Sequence, residues 1–259
     1  MLIAQISDMH VTRPGDRGPA GADTAANLAR VVAHLAAFSP RPDLVLATGD
    51  LVAGRKDGEY EILAALLEPL PMPVHLIPGN HDDRATMRAT FPDHEYPGQE
   101  DEFLHYTIEG GPLRLIGLDT LDPGEVGGRL CEARLDWLEA RLAERSASPT
   151  VIFMHHPPFD TGLPGMDKYP FPGRDALAAI VAANPQVERV LCGHIHRPIQ
   201  VRWAGTLAGI CPSTAVAAGV ILDPETPFSW SHETPAYQLH LWRPGHGLIS
   251  HTIPVPDTD

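Results

Sequence analysis

Pro78-Gly79-Asn80-His81-Asp82 sets an amide oxygen and an imidazole side by side, directly after the apolar run Val74-His75-Leu76-Ile77. Asn80 could coordinate a cation without cancelling its charge, and His81 could give or take a proton near neutral pH. One Asn-His pair on a loop is ordinarily a solvated turn. Four further apolar runs end the same way, in Asp8 and His10, in Asp50, in His155 and His156, and in His194 and His196. The i, i+2 spacing of Asp8/His10 and His194/His196 predicts that each pair shares one face of an extended segment. Imidazoles, carboxylates and one amide, with no thiolate, suit divalent or trivalent transition metals: iron, manganese, zinc or cobalt. The donors suffice for two ions, and cations about 3.5–4 Å apart need a shared aspartate between them. Two divalent ions with Asp8, Asp50 and a hydroxide leave about +1, which matches the single charge of a phosphodiester.

Such a cluster needs strands that end at one edge. Leu2 to Ile6, Asp43 to Thr48 and the run before Gly79 read as strands. Between them lie a helix from about Thr24 to Phe38, with Leu28, Val31, Val32 and Leu35 on one face, and another over Glu59 to Leu67. This order produces parallel βαβ units. Phe103 to Ile108 and Leu113 to Leu118 flank Glu109-Gly110-Gly111-Pro112 as a hairpin. A helix near Glu132 to Arg145, a strand Val151 to Met154, a Pro/Gly loop from Phe159 to Gly173, a helix to about Ala183 and a strand Arg189 to Cys192 follow. Two more hairpins turn at Ala204-Gly205 and at Pro244 to Gly247. Residues 1–259 read as one domain, of which 200–259 form a β-rich C-terminal part. Its loop Cys211 to Pro235 is a lid or an oligomer contact, such as a homodimer would use, and composition does not choose between them.

Lys plus Arg number 19 and Asp plus Glu 33, for a formal charge of −14. That balance argues against nucleic-acid polymers and anionic membranes, which need a basic face. Three scattered cysteines, Cys131, Cys192 and Cys211, form no Cys-x-x-Cys pair, so they fit free thiols in a reducing compartment. No run has membrane-spanning length and Met1 leads directly into a strand, so the expectation is a cytoplasmic protein.

Asp8-x-His10, Gly49-Asp50, Gly79-Asn80-His81-Asp82, His155-x-Pro157 and Gly193-His194-x-His196 together resemble the five blocks of the calcineurin-like metallophosphoesterases. Within them the wording is most similar to bacterial class III cyclic nucleotide phosphodiesterases and the related glycerophosphodiesterases. The resemblance implies an α/β fold, a four-layer α/β/β/α sandwich of two mixed β-sheets flanked by helices. It implies that Asp8, His10 and His196 hold one metal, that Asn80, His155 and His194 hold the other, and that Asp50 bridges. It further implies attack on phosphorus by a metal-bound hydroxide, with His81 as proton donor or transition-state stabiliser. His155 matches the ligand position of the His-x-Pro block, which leaves His156 to support it or to pack. Asp82 would orient the turn or cap a following helix. The glycerophosphodiesterase branch carries a histidine near the position of Ala215-Val216-Ala217, and this chain has none.

The function expected is hydrolysis of small phosphodiesters, 3′,5′-cyclic nucleotides first and glycerophosphodiesters next. A phosphomonoesterase or protein phosphatase would need arginine clamps that the blocks do not show. A catalytically silent metal-binding scaffold would have lost a ligand or His81. The remaining histidines read as surface or satisfied strand positions. His232 could reach the mouth of the site, and Met166-Asp167 could line it.

Overall fold

Strand β1 (Leu2–Ile6) is followed by helix α1 (Thr24–Ala36) and then by β2 (Leu44–Thr48), parallel to β1. Helix α2 (Glu59–Leu67) leads to β3 (Val74–Ile77), parallel to β2, and to α3 (Arg84–Thr90). Strands β4 (Tyr106–Ile108) and β5 (Arg114–Leu118) form the expected antiparallel pair. Then come α4 (Glu132–Glu144), β6 (Thr150–Met154), the single turn α5 (Pro164–Asp167), α6 (Arg174–Ala183) and β7 (Val187–Cys192). The chain continues through β8 (Ile199–Trp203), β9 (Thr206–Ile210), two short strands β10 (Ala217–Ala218) and β11 (Trp230–Ser231), β12 (Ala236–Arg243) and β13 (Gly247–Pro254). The computed structural model describes residues 1–94 and 102–256.

Two mixed sheets result, in the orders β13-β12-β1-β2-β3 and β4-β5-β6-β7-β9-β8, with β10-β11 as a separate ribbon. The β-rich stretch after residue 200 is divided between them. The β8-β9 hairpin joins the second sheet, where β9 runs parallel to β7, and the β12-β13 hairpin joins the first, where β12 runs antiparallel to β1.

Strand alternation builds the layers. Leu44 and Leu46 of β2 share a core with Leu115 and Ile116 of β5 and with Val151 to Met154 of β6. Val45 and Ala47, on the opposite face, pack with Leu28, Val31 and Leu35 of α1 and with Tyr60 and Leu63 of α2. Asp23 caps α1 by accepting from the Ala26 N–H at 3.1 Å. On the far side, α4 and α6 contribute Leu138, Leu142, Leu177 and Val181. Each of these side chains contributes about 1.5–3 kcal/mol by leaving water. The expected α/β/β/α layering is the observed one.

Between the sheets runs a buried polar seam. Gln5 of β1 donates through Nε2 to Thr48 Oγ1 and to the Cys192 carbonyl, each at 3.0 Å, so its Oε1 must accept. The donor is His240 Nε2 at 3.0 Å, which fixes the tautomer and lets His240 Nδ1 accept from Ser250 Oγ at 2.7 Å. The neutral ring thus meets a partner at each nitrogen. Burial, reinforced by Arg189, depresses its pKa to about 3 from the usual 6.5. The unfolded chain consequently takes up a proton that the folded one refuses. The neutral ring's contribution is complete above pH 6.5 and is lost as pH falls toward 3, by at most about 1.4 kcal/mol per pH unit for this group. In urea titrations of chelated protein between pH 6.5 and 4, His240→Gln should lose stability less steeply than wild type. Identical slopes would show that another group carries the acid sensitivity.

Candidate metal centre

The ends of β1, β2, β3, β6 and β7 meet at one place. Asp8 N–H donates to the Gly49 carbonyl at 3.0 Å and His10 N–H to the Asp50 carbonyl at 2.9 Å. His81 N–H donates to Asp50 Oδ1 at 2.9 Å, His194 N–H to Asp8 Oδ1 at 3.0 Å, and Gly193 N–H to the His155 carbonyl at 2.9 Å. Each loop is thus held by its neighbour's backbone or carboxylate. Gly79 and Gly193 permit the approach. A β-carbon at Gly79 would lie well under 3 Å from Asp50 Oδ1 and the Asp50 nitrogen, and one at Gly193 would collide with Ser7 Oγ.

The extended i, i+2 geometry expected for Asp8/His10 and His194/His196 is not observed. Asp8, His10, Asp50, His194 and His196 all lie beyond the last strand residue in left-handed conformations, with φ between 44° and 73°. They are five of the eight non-glycine residues with positive φ among the described residues. Each costs about 1–3 kcal/mol, which the inter-loop hydrogen bonds must offset. Pairs of side chains still converge, through curled backbone and not through a pleat.

Asp8, His10, Asp50 and His196 bring one ligand atom each within 4.8 Å of the others, and His155, His156 and His194 form a second such group. All seven are buried. Asp50 lies between the groups, with Oδ2 3.5 Å from His10 Nε2 and Oδ1 3.3 Å from His155 Nε2. Asn80 Oδ1 stands 3.3 Å from His155 Nε2, so the amide joins the second group. Backbone carbonyls orient three rings: Thr48 receives His155 Nδ1 at 2.8 Å, Val216 receives His196 Nδ1 at 2.8 Å and Ala53 receives His81 Nδ1 at 2.7 Å. Their neutral rings therefore present a bare Nε2 lone pair.

These residues fit a pair of cations. His196 Nε2 lies 3.1 Å from His10 Nε2 and 3.5 Å from Asp8 Oδ1, so acceptors converge with few protons to share. The Nδ1 of His10 is buried with no hydrogen-bond partner. Burial pushes the Asp8 carboxyl up, partly offset by His196 and His155. Burial also opposes charge on Asp50, yet His155 and His10 hold that carboxyl well below its usual range. Burial keeps His10 neutral, and with His155 it lowers His194 to about 3. His155 differs: burial opposes its charge, but Asp50 and Asp8 lift it to about 9. A cation held by its Nε2 would displace that proton.

Three sequence expectations resolve at their own side chains. His156 falls within the second group, but its ring nitrogens already meet Thr120 Oγ1 at 2.8 Å and the Val126 carbonyl at 3.2 Å. Asp82 orients the turn and does not cap α3, whose cap is Asp83, accepting from Thr86 N–H at 2.8 Å. The Asp82 carboxylate takes the N–H groups of Gly79 and Leu51 and the Tyr60 hydroxyl, and burial with the Asp50 charge raises it to about 6. His232 lines a neighbouring cavity and not the one over the cluster.

That cavity, about 360 Å³, is lined by His10, Asp50, Asn80, His81, His194 and His196 on one side. Lys168, Tyr169, Phe228 and Trp230 line the rest together with the expected Met166, while Asp167 turns away to hold the Thr161 and Gly162 N–H groups at 2.8 Å. Phe228 and Trp230 are lining residues that sequence reasoning misses. Two aromatics at i, i+2 in an otherwise polar, Pro-rich loop were the available signal.

Residues 1–198 match the calcineurin-like phosphoesterase family across all five loops. The chain belongs to that family. A probable glycerophosphodiester phosphodiesterase of Arcobacter nitrofigilis is 33% identical over 255 residues, covering 97% of this chain and 92% of that one. A probable cyclic nucleotide phosphodiesterase of Rhodopseudomonas palustris is 35% identical over 240 residues, covering 92% and 86%. A dimetal phosphatase of Danio rerio shares the fold, with a TM-score of 0.68 at 16% identity over 99% of both chains. No helix of this phosphoesterase, among the described residues, is long and apolar enough to cross a membrane. Gly79→Ala should displace Asp50 and lower the metal content of chelated, reloaded protein by at least one ion per chain. Wild-type metal content in that variant would show that Asp50 tolerates the added methyl group.

Proposed function

We propose that this phosphoesterase is a binuclear-metal hydrolase of small phosphodiesters, with 3′,5′-cyclic nucleotides as the first candidates and glycerophosphodiesters as the second. One observation carries the reading: the two oxygens of Asp50 face two separate groups of buried ligands. Asp8, His10 and His196 would hold one ion, Asn80, His155 and His194 the other, and Asp50 would serve both. Iron, manganese, zinc and cobalt all suit these nitrogen and oxygen donors. Bound there, two such ions supply a lowered pKa for water and neutralise charge building on phosphoryl oxygens.

The protein's own groups do the rest. His81 keeps its Nδ1 proton on the Ala53 carbonyl, so the ring is fixed while Nε2 can carry a second proton toward the cavity. Giving that proton to the leaving oxygen returns the ring to the neutral tautomer already favoured by Ala53. His156, bonded at both nitrogens, packs beside His194 with ring centroids 4.7 Å apart and orients it. Lys168 is the one lysine or arginine among the described lining residues. Arg55 is turned away, donating to the backbone carbonyls of Asn80 and His81. A cavity with one lysine and no arginine suits a monoanionic diester better than a dianionic monoester. Relatives named for both diester classes, at 33% and 35% identity, support the diester reading and do not rank the two substrates. Free, buried Cys192 and Cys211 suit the cytoplasm.

The test is kcat/KM for 3′,5′-cyclic AMP and for glycerophosphoethanolamine on chelated protein reloaded with Mn²⁺. Turnover of either diester supports the reading, and none with both metals bound refutes it. His81→Ala should retain both ions. It should slow diesters with alkoxide leaving groups about 10²-fold or more, in the range of general acid catalysis, and p-nitrophenyl diesters far less. Equal losses on both would remove His81 as proton donor.

A further inference from the structure

Half of the cavity wall has no part in metal binding or proton transfer. Phe228 and Trp230 stand there, each 37% exposed, in edge-to-face contact with ring centroids 4.9 Å apart. The Trp230 indole lies 5.0 Å from the imidazole of His196, so this apolar surface continues directly from the metal cluster. Tyr169 and Met166 line the same cavity from the loop after β6. Exposed aromatic surface of this size, beside a reacting centre, is a contact in search of an apolar ligand group.

The wall is held in place. Trp230 pairs with Ala218 in the β10-β11 ribbon, and Gly219 N–H donates to the Ser229 carbonyl at 2.8 Å. Arg197 clamps the ribbon, donating to the Ala218 carbonyl and to Glu233 Oε1. Across the cavity, Gly165 lets the other loop approach: a β-carbon there would already sit 3.3 Å from Phe228 Cβ. The two loops thus meet over the site and fix the aromatic rings before any ligand arrives. Polar side chains on this side are few, Lys168 and Tyr169 among them.

We propose that Trp230 and Phe228, with Tyr169, are specificity-determining residues that stack on a flat aromatic ring carried by the diester. They would make the centre prefer nucleotide diesters to glycerol diesters. The proposal rests on the phosphodiesterase reading given above. A nucleobase offers a π-face to such a wall whatever its hydrogen-bonding pattern. A glycerol headgroup has no ring, and its hydroxyl groups would meet apolar surface without partners.

The experiment measures the ratio of kcat/KM for cyclic AMP to that for glycerophosphoethanolamine in Mn²⁺-reloaded wild type, Trp230→Ala and Trp230→Phe. The ratio should fall at least tenfold in Trp230→Ala, mainly through a higher KM for cyclic AMP, and recover to within threefold of wild type in Trp230→Phe. Equal losses on both diesters in Trp230→Ala overturn the proposal. A reading independent of turnover uses tryptophan fluorescence of the wild-type holoprotein. Titration with 5′-AMP should quench it more than ribose 5-phosphate does, and that difference should vanish in Trp230→Phe. Equal quenching by the two phosphates would mean that the ring is not read, and would overturn the proposal. Ring-dependent quenching without turnover of any diester would sustain the aromatic wall and discard the phosphodiesterase reading.

Discussion

Asp50 is the residue at which the loops of this protein become one structure. Its carbonyl receives the amide of His10, its Oδ1 receives the amide of His81, and its two oxygens face His10 and His155. A left-handed backbone at Asp50 is what lets one residue serve three loops at once. Nothing about that conformation is favourable in isolation. It persists because the surrounding amides would otherwise be buried without acceptors, a penalty of about 1–3 kcal/mol for each group left unpaired.

Around Asp50 the protein has built its support from ordinary parts. Asp82 gathers the amides of Gly79 and Leu51 with the Tyr60 hydroxyl, which ties the turn after β3 to the loop after β2 and to helix α2. Below, Gln5 joins β1 to Thr48 and to the end of β7. These groups are polar and enclosed by apolar packing, so each bond is worth more than it would be in water, and each missing partner costs more. The candidate metal ligands therefore sit on a scaffold in which Asp82 and Gln5 each have their partners.

The elements were legible because each strand is a short apolar run stopped by a polar or Gly-containing turn, and because Leu28, Val31, Val32 and Leu35 mark their helix face. The ligand types and their grouping at strand ends were legible for the same reason. The left-handed φ of Asp8, His10, Asp50, His194 and His196 was not, since only contacts between distant loops impose it. Nor could local pattern show that β12 would pair with β1 while β8 and β9 join the other sheet, because a hairpin signal says nothing about its next neighbour. Asp82 and Asp83 illustrate the limit at single-residue scale: both are cap-type residues, and only packing against Tyr60 decides which one turns inward. Trp230 escaped notice for a related reason, since its sequence neighbours are polar and its wall is assembled in space.

The pairing of β12 with β1 has a consequence for how the molecule is made. Leu2–Ile6 is synthesised long before Ala236–Arg243, and until that strand follows, one of its two edges has no partner. β2 and β3 can add to the other edge early, so the nascent chain carries a half-built sheet with an open strand until β12 emerges. An open strand edge is a template for wrong partners. Asp8 and His10 follow that strand, so two of the candidate ligands stand on a sheet that stays incomplete until β12 has been made.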